Sequence, residues 1–161
     1  MDKLYNISLE CLKLLKSKGK KIALAESCTG GLIAKSITDH NGASDVFECG
    51  VVSYSGKIKA HLLCVQQSTL DTFGEVSAET AAEMARGVAE LSTADFGVGV
   101  TGIAGPTGAT KDKKVGLIYV SVFYQNTIHS YKLELYDEMD RDERRKQTAR
   151  FVFSKIIEFL S

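Results

Sequence analysis

The chain has 161 residues, 44 % of them hydrophobic and 25 % charged, which is the balance of an ordinary soluble globular protein and enough for one domain, 1–161, with a sizeable core. Its 20 lysines plus arginines equal its 20 aspartates plus glutamates, so no overall field argues for nucleic acid or an anionic membrane surface as a partner. No apolar run approaches the roughly 18 residues of a membrane span, and the opening MDKLYNISLE lacks an apolar signal region, so a cytoplasmic protein is expected.

In chain order, Leu4, Ile7, Cys11, Leu14 and Leu15 share one helical stripe that ends at Gly19. Lys21 to Glu26 reads as a buried strand, and Gly31 to about Thr38 as a second helix. Asn41-Gly42 marks a turn before a strand from Val46 to Ser53, with Val51 and Val52 its most β-prone pair. A short helix is expected over Lys57 to Leu63, and one helical turn over Leu70 to Phe73. Ser77 is the expected N-cap of a long helix whose inner stripe is Ala81, Ala85, Val88 and Ala89. Phe96 to Thr101 is the next strand, and Gly97 and Gly99 within it suggest a close backbone approach. After a glycine-rich loop, Val115 to Tyr124 and Thr127 to Leu135 alternate as a strand pair joined at Gln125-Asn126. The last helix runs from about Arg141 to Leu160 with Thr148, Phe151, Val152, Ile156 and Phe159 inward. This order implies a single three-layer α/β/α domain with a mixed, mostly parallel sheet.

Cys11, Cys28, Cys49 and Cys64 form no CxxC pair, so zinc or disulfides are not expected and at least three are read as buried thiols. His40, His61 and His129 are too scattered for a metal cluster or a histidine-based triad, so chemistry here would use another base.

Three segments compete for that chemistry. At Glu26-Ser27-Cys28-Thr29-Gly30-Gly31 a strand turns sharply toward a helix, where free N–H groups suit an oxyanion or a phosphate. Ser27 is either the helix N-cap or a nucleophile in need of a base. Cys28 is a core residue or a rival nucleophile, and Glu26 meets a substrate amide or a nearby cation. In Tyr54-Ser55-Gly56-Lys57-Ile58-Lys59, a lysine reaches Ser27 if the preceding strand is parallel to the first; otherwise both lysines are solvated surface groups. The stretch Gly102-Ile103-Ala104-Gly105-Pro106-Thr107-Gly108-Ala109-Thr110 forms a nest for an anion or is a plain surface connection. Arg141, Arg144 and Arg145 are surface charges or a phosphate clamp.

Ala25-Glu26-Ser27-Cys28-Thr29-Gly30-Gly31, then Tyr54-Ser55 with Lys59, then Val100-Thr101-Gly102-Ile103-Ala104-Gly105-Pro106, in this order and spacing, resemble the C-terminal domain of the competence/damage-inducible CinA family. The likeness continues through Gly74-Glu75-Val76-Ser77 to Asp140-Arg141 and Arg145. It implies a nicotinamide mononucleotide amidohydrolase without cofactor or metal. Ser27 would be the nucleophile, Lys59 its base, and Tyr54 would hold or relay the proton. N–H groups around Thr29, Gly30 and Gly31 are expected to bind the oxyanion, with Glu26 beside them at the substrate amide or on a nearby cation. The phosphate would rest on the loop from Gly102 through Gly105 to Thr110, with Thr101, Arg145 and Arg141 as contacts. A homo-oligomer, a dimer or higher, is also implied.

The chain departs from the family pattern at Gly56, where the family commonly has asparagine, at Ala109 in place of glycine, and at Lys114 in place of proline. Without the larger N-terminal domain of many members, no pyrophosphatase activity is expected. The alternative reading is a weak or inactive domain of the same fold that binds a nucleotide or a protein in competence or stress.

Overall fold

The computed structural model describes residues 2–161. Its elements are α1 (Lys3–Ser17), β1 (Ile22–Glu26), α2 (Leu32–Thr38), a 3-10 turn (Ala43–Asp45), β2 (Phe47–Val52), α3 (Gly56–Leu63), α4 (Gln67–Phe73), α5 (Ala78–Ser92), β3 (Phe96–Gly102), β4 (Leu117–Tyr124), β5 (Thr127–Glu134) and α6 (Arg141–Leu160). One sheet holds all five strands in the order β2-β1-β3-β4-β5. β1 lies parallel to both β2 and β3, and β4 is antiparallel to β3 and β5. Only β4 therefore runs against the others, and the C-terminal ends of β1, β2, β3 and β5 gather at one edge.

The mixed sheet is covered on both faces, which is why β1 reads as an unbroken apolar run. Ile22 and Leu24 join a large core with α1, α2 and α6, whereas Ala23 and Ala25 join a smaller one with Leu63, Met84 and Val88. The close approach expected at Gly97 and Gly99 is real: a Cβ on either would stand about 2.1–2.2 Å from the carbonyl oxygen of Ala85 or Ala81 on α5. The small-residue stripe of α5 and these two glycines together let helix and strand touch. Gln125 and Asn126 both take positive φ, 50° and 61°, and close the β4–β5 hairpin.

Several expectations need correction. α4 begins three residues earlier than the apolar signal at Leu70, because its first turn carries polar residues, Gln67 and Ser68 exposed and Thr69 buried. On α6 the fully buried aromatic is Phe153, whereas Phe151 and Phe159 are half-buried against the sheet. Only Cys11 and Cys28 are buried; Cys49 is intermediate and Cys64 is exposed, since it ends α3 in the left-handed conformation at φ 57°. Among the described residues no helix is long and apolar enough to cross a membrane.

Candidate active site

The loops leaving β1, β2 and β3, together with the first turn of α6, converge at the common edge. They enclose a cavity of about 280 Å³ lined by Ser27, Cys28, Tyr54, Glu75, Thr101, Arg141 and neighbours in the glycine-rich loop.

Ser27 is the first residue beyond β1, and its N–H donates to the Val100 carbonyl at 3.0 Å, which continues the β1–β3 ladder by one step. Ser27 is not a helix cap. α2 starts at Leu32 behind Gly31, which has φ 95° and offers no side chain. The cap is supplied by Glu26. Its buried carboxylate accepts from the N–H groups of Gly31 at 3.0 Å, Ile33 at 3.2 Å and Ala34 at 2.8 Å. Those are the donors that a helix start leaves unpaired, and a carboxylate there also suits the helix dipole. Glu26 thus spends its carboxylate on the start of α2 and pairs with no side-chain cation among the described residues.

This arrangement also narrows the choice of oxyanion donors. Gly31 N–H is committed to Glu26, and Gly30 N–H donates to the Ser27 carbonyl at 3.0 Å. The Thr29 N–H donates to no acceptor among the described residues, and the Cys28 N–H only to its own thiol. Arg145 does not face the cavity. Its Nε and Nη2 both hold the Thr29 carbonyl, at 3.1 and 2.5 Å, so it clamps the turn that carries Ser27.

Lys59 comes from α3, whose N-cap Ser55 accepts from the Ile58 N–H at 3.3 Å. Because β2 is parallel to β1, α3 begins beside Ser27, and one turn of helix carries the lysine inward. Its Nζ lies 3.0 Å from Ser27 Oγ and 2.7 Å from the Ser53 carbonyl, and the residue is 0 % exposed. Burial lowers its pKa from the ordinary 10.5, opposed by Glu75 and Cys28. A neutral lysine amine keeps a lone pair for the serine proton while donating to Ser53, and this geometry fits a general base.

Cys28 is enclosed, and burial first, then the Glu26 charge, pushes its thiol up to about 12. Thiolate chemistry is therefore suppressed at that position. Tyr54 is 62 % exposed at the cavity mouth, where its hydroxyl accepts from Arg141 Nη2 at 2.9 Å; it does not hydrogen-bond to Ser27 or Lys59. Arg141 also donates to the Gly105 carbonyl at 2.8 Å, and Arg144 holds the carbonyls of Ala104, Leu135 and Asp137. Thr101 lines the cavity with its hydroxyl donating to the Glu75 carbonyl at 2.8 Å. Gly102 also lines it, while Gly105, with φ 80°, shapes the loop behind.

Glu75 is the lining residue that sequence reasoning passed over. Its Oε1 accepts from the Gly56 N–H at 2.7 Å, a contact that depends on a side chain nineteen residues away. The available signal was the first N–H of α3 at Gly56, which the Ser55 cap, bonded to Ile58, leaves for another acceptor.

Comparison with known proteins gives one answer. The family model for the CinA C-terminal domain matches residues 4–160. A putative competence-damage inducible protein of Thermoanaerobacter sp. (strain X514) is 51 % identical over 138 residues, 86 % of this chain and 33 % of that protein. A CinA-like protein of Kosmotoga olearia is 42 % identical over 153 residues, 92 % of this chain and 37 % of the other. The chain thus spans about a third of the length of the curated relatives it matches. Among solved structures, the competence/damage inducible protein CihA from Agrobacterium tumefaciens superposes with a TM-score of 0.93 at 36 % identity, covering 98 % of this chain and 96 % of that one. With a family model spanning nearly every residue and the same fold in a related solved structure, the chain belongs to the CinA C-terminal domain family.

Proposed function

We propose that this domain hydrolyses the carboxamide of nicotinamide mononucleotide, giving nicotinate mononucleotide and ammonia. The observation that carries this reading is the contact between Lys59 and Ser27: an enclosed lysine with a depressed pKa, held against a serine hydroxyl at the floor of a cavity. Ser27 Oγ attacks the carboxamide carbon while its proton passes to Lys59 Nζ. The N–H groups of Cys28 and Thr29 stabilise the developing oxyanion, a role that needs donors about 2.7–3.1 Å from it. The C–N bond then breaks as Lys59 returns the proton to the leaving nitrogen. Water, deprotonated by the same lysine, releases the acid and restores Ser27.

Tyr54 stands exposed at the mouth with its hydroxyl on Arg141. In this reading it relays the proton that Lys59 gives up to the leaving nitrogen once substrate is seated, since catalytic hydrogen bonds tighten on binding. Lys59 is the base already in contact with the nucleophile. Arg141 and the Gly102–Gly108 wall receive the phosphate. A homodimer or larger assembly working on a soluble cytoplasmic nucleotide belongs to the same reading. The test is ammonia release from nicotinamide mononucleotide by the purified protein and by Ser27→Ala and Lys59→Ala. A fall of about 10³-fold or more in both variants is expected. Equal low rates in all three proteins would leave a nucleotide- or protein-binding domain in its place.

A further inference from the structure

Arg141 and Glu75 line the same cavity, yet they do not pair with each other. Arg141 is held by the Gly105 carbonyl and the Tyr54 hydroxyl, and Glu75 by the Gly56 N–H. Only Oε1 of Glu75 is engaged; Oε2 receives no hydrogen bond among the described residues. The segment that presents this carboxylate is fixed from two sides. Thr101 Oγ1 donates to the Glu75 carbonyl at 2.8 Å, and Lys113 Nζ donates to the carbonyls of Phe73 at 2.7 Å and Val76 at 2.6 Å. Room for the carboxylate exists because residue 56 is glycine: a Cβ there would lie 2.5 Å from Glu75 Oε1.

A cavity with one anion and one cation left apart suits a ligand that also carries both charges. We propose that Glu75 is a specificity residue that reads the positive ring of a zwitterionic mononucleotide amide, with the ring beside Glu75 and the phosphate toward Arg141. The exposed ring of Tyr54 lines the same space, and its π face attracts the same cation. A carboxamide of identical shape on an uncharged ring loses both attractions. The assignment rests on the amidohydrolase reading for its choice of ligand, but it concerns binding and is measured as such.

The experiment is calorimetric titration of the protein with nicotinamide mononucleotide and with its dihydro form, whose ring is neutral. The wild type is expected to bind the cationic ring about tenfold more tightly, the scale of one partly screened charge pair. Glu75→Gln keeps the acceptor for the Gly56 N–H and removes the charge, so the ratio should fall to about twofold or less. Gly56→Ala, which displaces the carboxylate, should move the ratio the same way. In the wild type alone, high salt should shrink it. A ratio unchanged in Glu75→Gln, with both affinities reduced alike, would show a structural cap and overturn the assignment. Failure of the wild type to bind either form would also overturn it. A preserved preference without ammonia release would refute the amidohydrolase reading and leave the role of Glu75 standing.

Discussion

Lys59 Nζ lies 3.0 Å from Ser27 Oγ while no part of Lys59 reaches solvent. The lysine must lose its proton to act as a base, and burial favours that loss. Activity should therefore rise with pH through the depressed pKa of Lys59 and level off above it. Glu75 opposes the depression, so Glu75→Gln should move the rising limb to lower pH. Rates flat from about pH 6 to 9 would remove Lys59 from this role.

The same burial costs stability. Below its folded pKa Lys59 is charged in both states, and the full penalty applies; between that value and the ordinary 10.5 the unfolded chain binds more protons, so the penalty shrinks as pH rises. Lys59→Met should therefore abolish ammonia release and raise stability at neutral pH by about 1–2 kcal/mol. The gain over wild type should diminish toward pH 10, measured as the difference in urea midpoints.

Glu26→Ala removes the acceptor for three N–H groups at the start of α2. A loss of about 3 kcal/mol in urea unfolding is expected, because hydrogen bonds to a charged group are strong and the donors left behind are partly buried. Glu26→Gln, which keeps one acceptor oxygen, should lose less. A cost below about 0.5 kcal/mol in Glu26→Ala would mean that water replaces the cap fully.

Arg145 and Arg141 should separate in steady-state kinetics. Arg145 holds the Thr29 carbonyl, so Arg145→Lys should lower kcat with KM nearly constant. Arg141 lines the cavity, so Arg141→Ala should chiefly raise KM. A large rise in KM for Arg145→Lys would instead place Arg145 on the phosphate.

Cys28→Ser should retain activity within about tenfold, since a thiol pushed up to about 12 contributes no nucleophile at neutral pH. Alkylating reagents should label exposed Cys64 first, with ammonia release unchanged at that stage.

The layered fold and its helices were legible because their apolar spacing is local. Ser27 and a lysine of the 54–59 segment are candidates from local sequence, the family resemblance singles out Lys59, and the parallel pairing of β1 and β2 places it beside Ser27. What the sequence hid are contacts set by tertiary distance. Glu26 reaches forward to a helix whose own N-cap lacks a side chain, Arg145 reaches back 116 residues to Thr29, and Glu75 fills the space at Gly56. Local propensity favoured Ser27 as the cap because serine is a good one. It gave no weight to a carboxylate one residue earlier that takes three donors at once.

Because only β4 runs against the other strands, its turn at Gln125-Asn126 lies at the sheet edge opposite Ser27. That turn is therefore the natural place for a fluorophore, an affinity tag or a surface tether. A short insertion there should leave the cavity and its ligand preference unaltered, giving a handle through which binding and turnover can be followed on the same molecule.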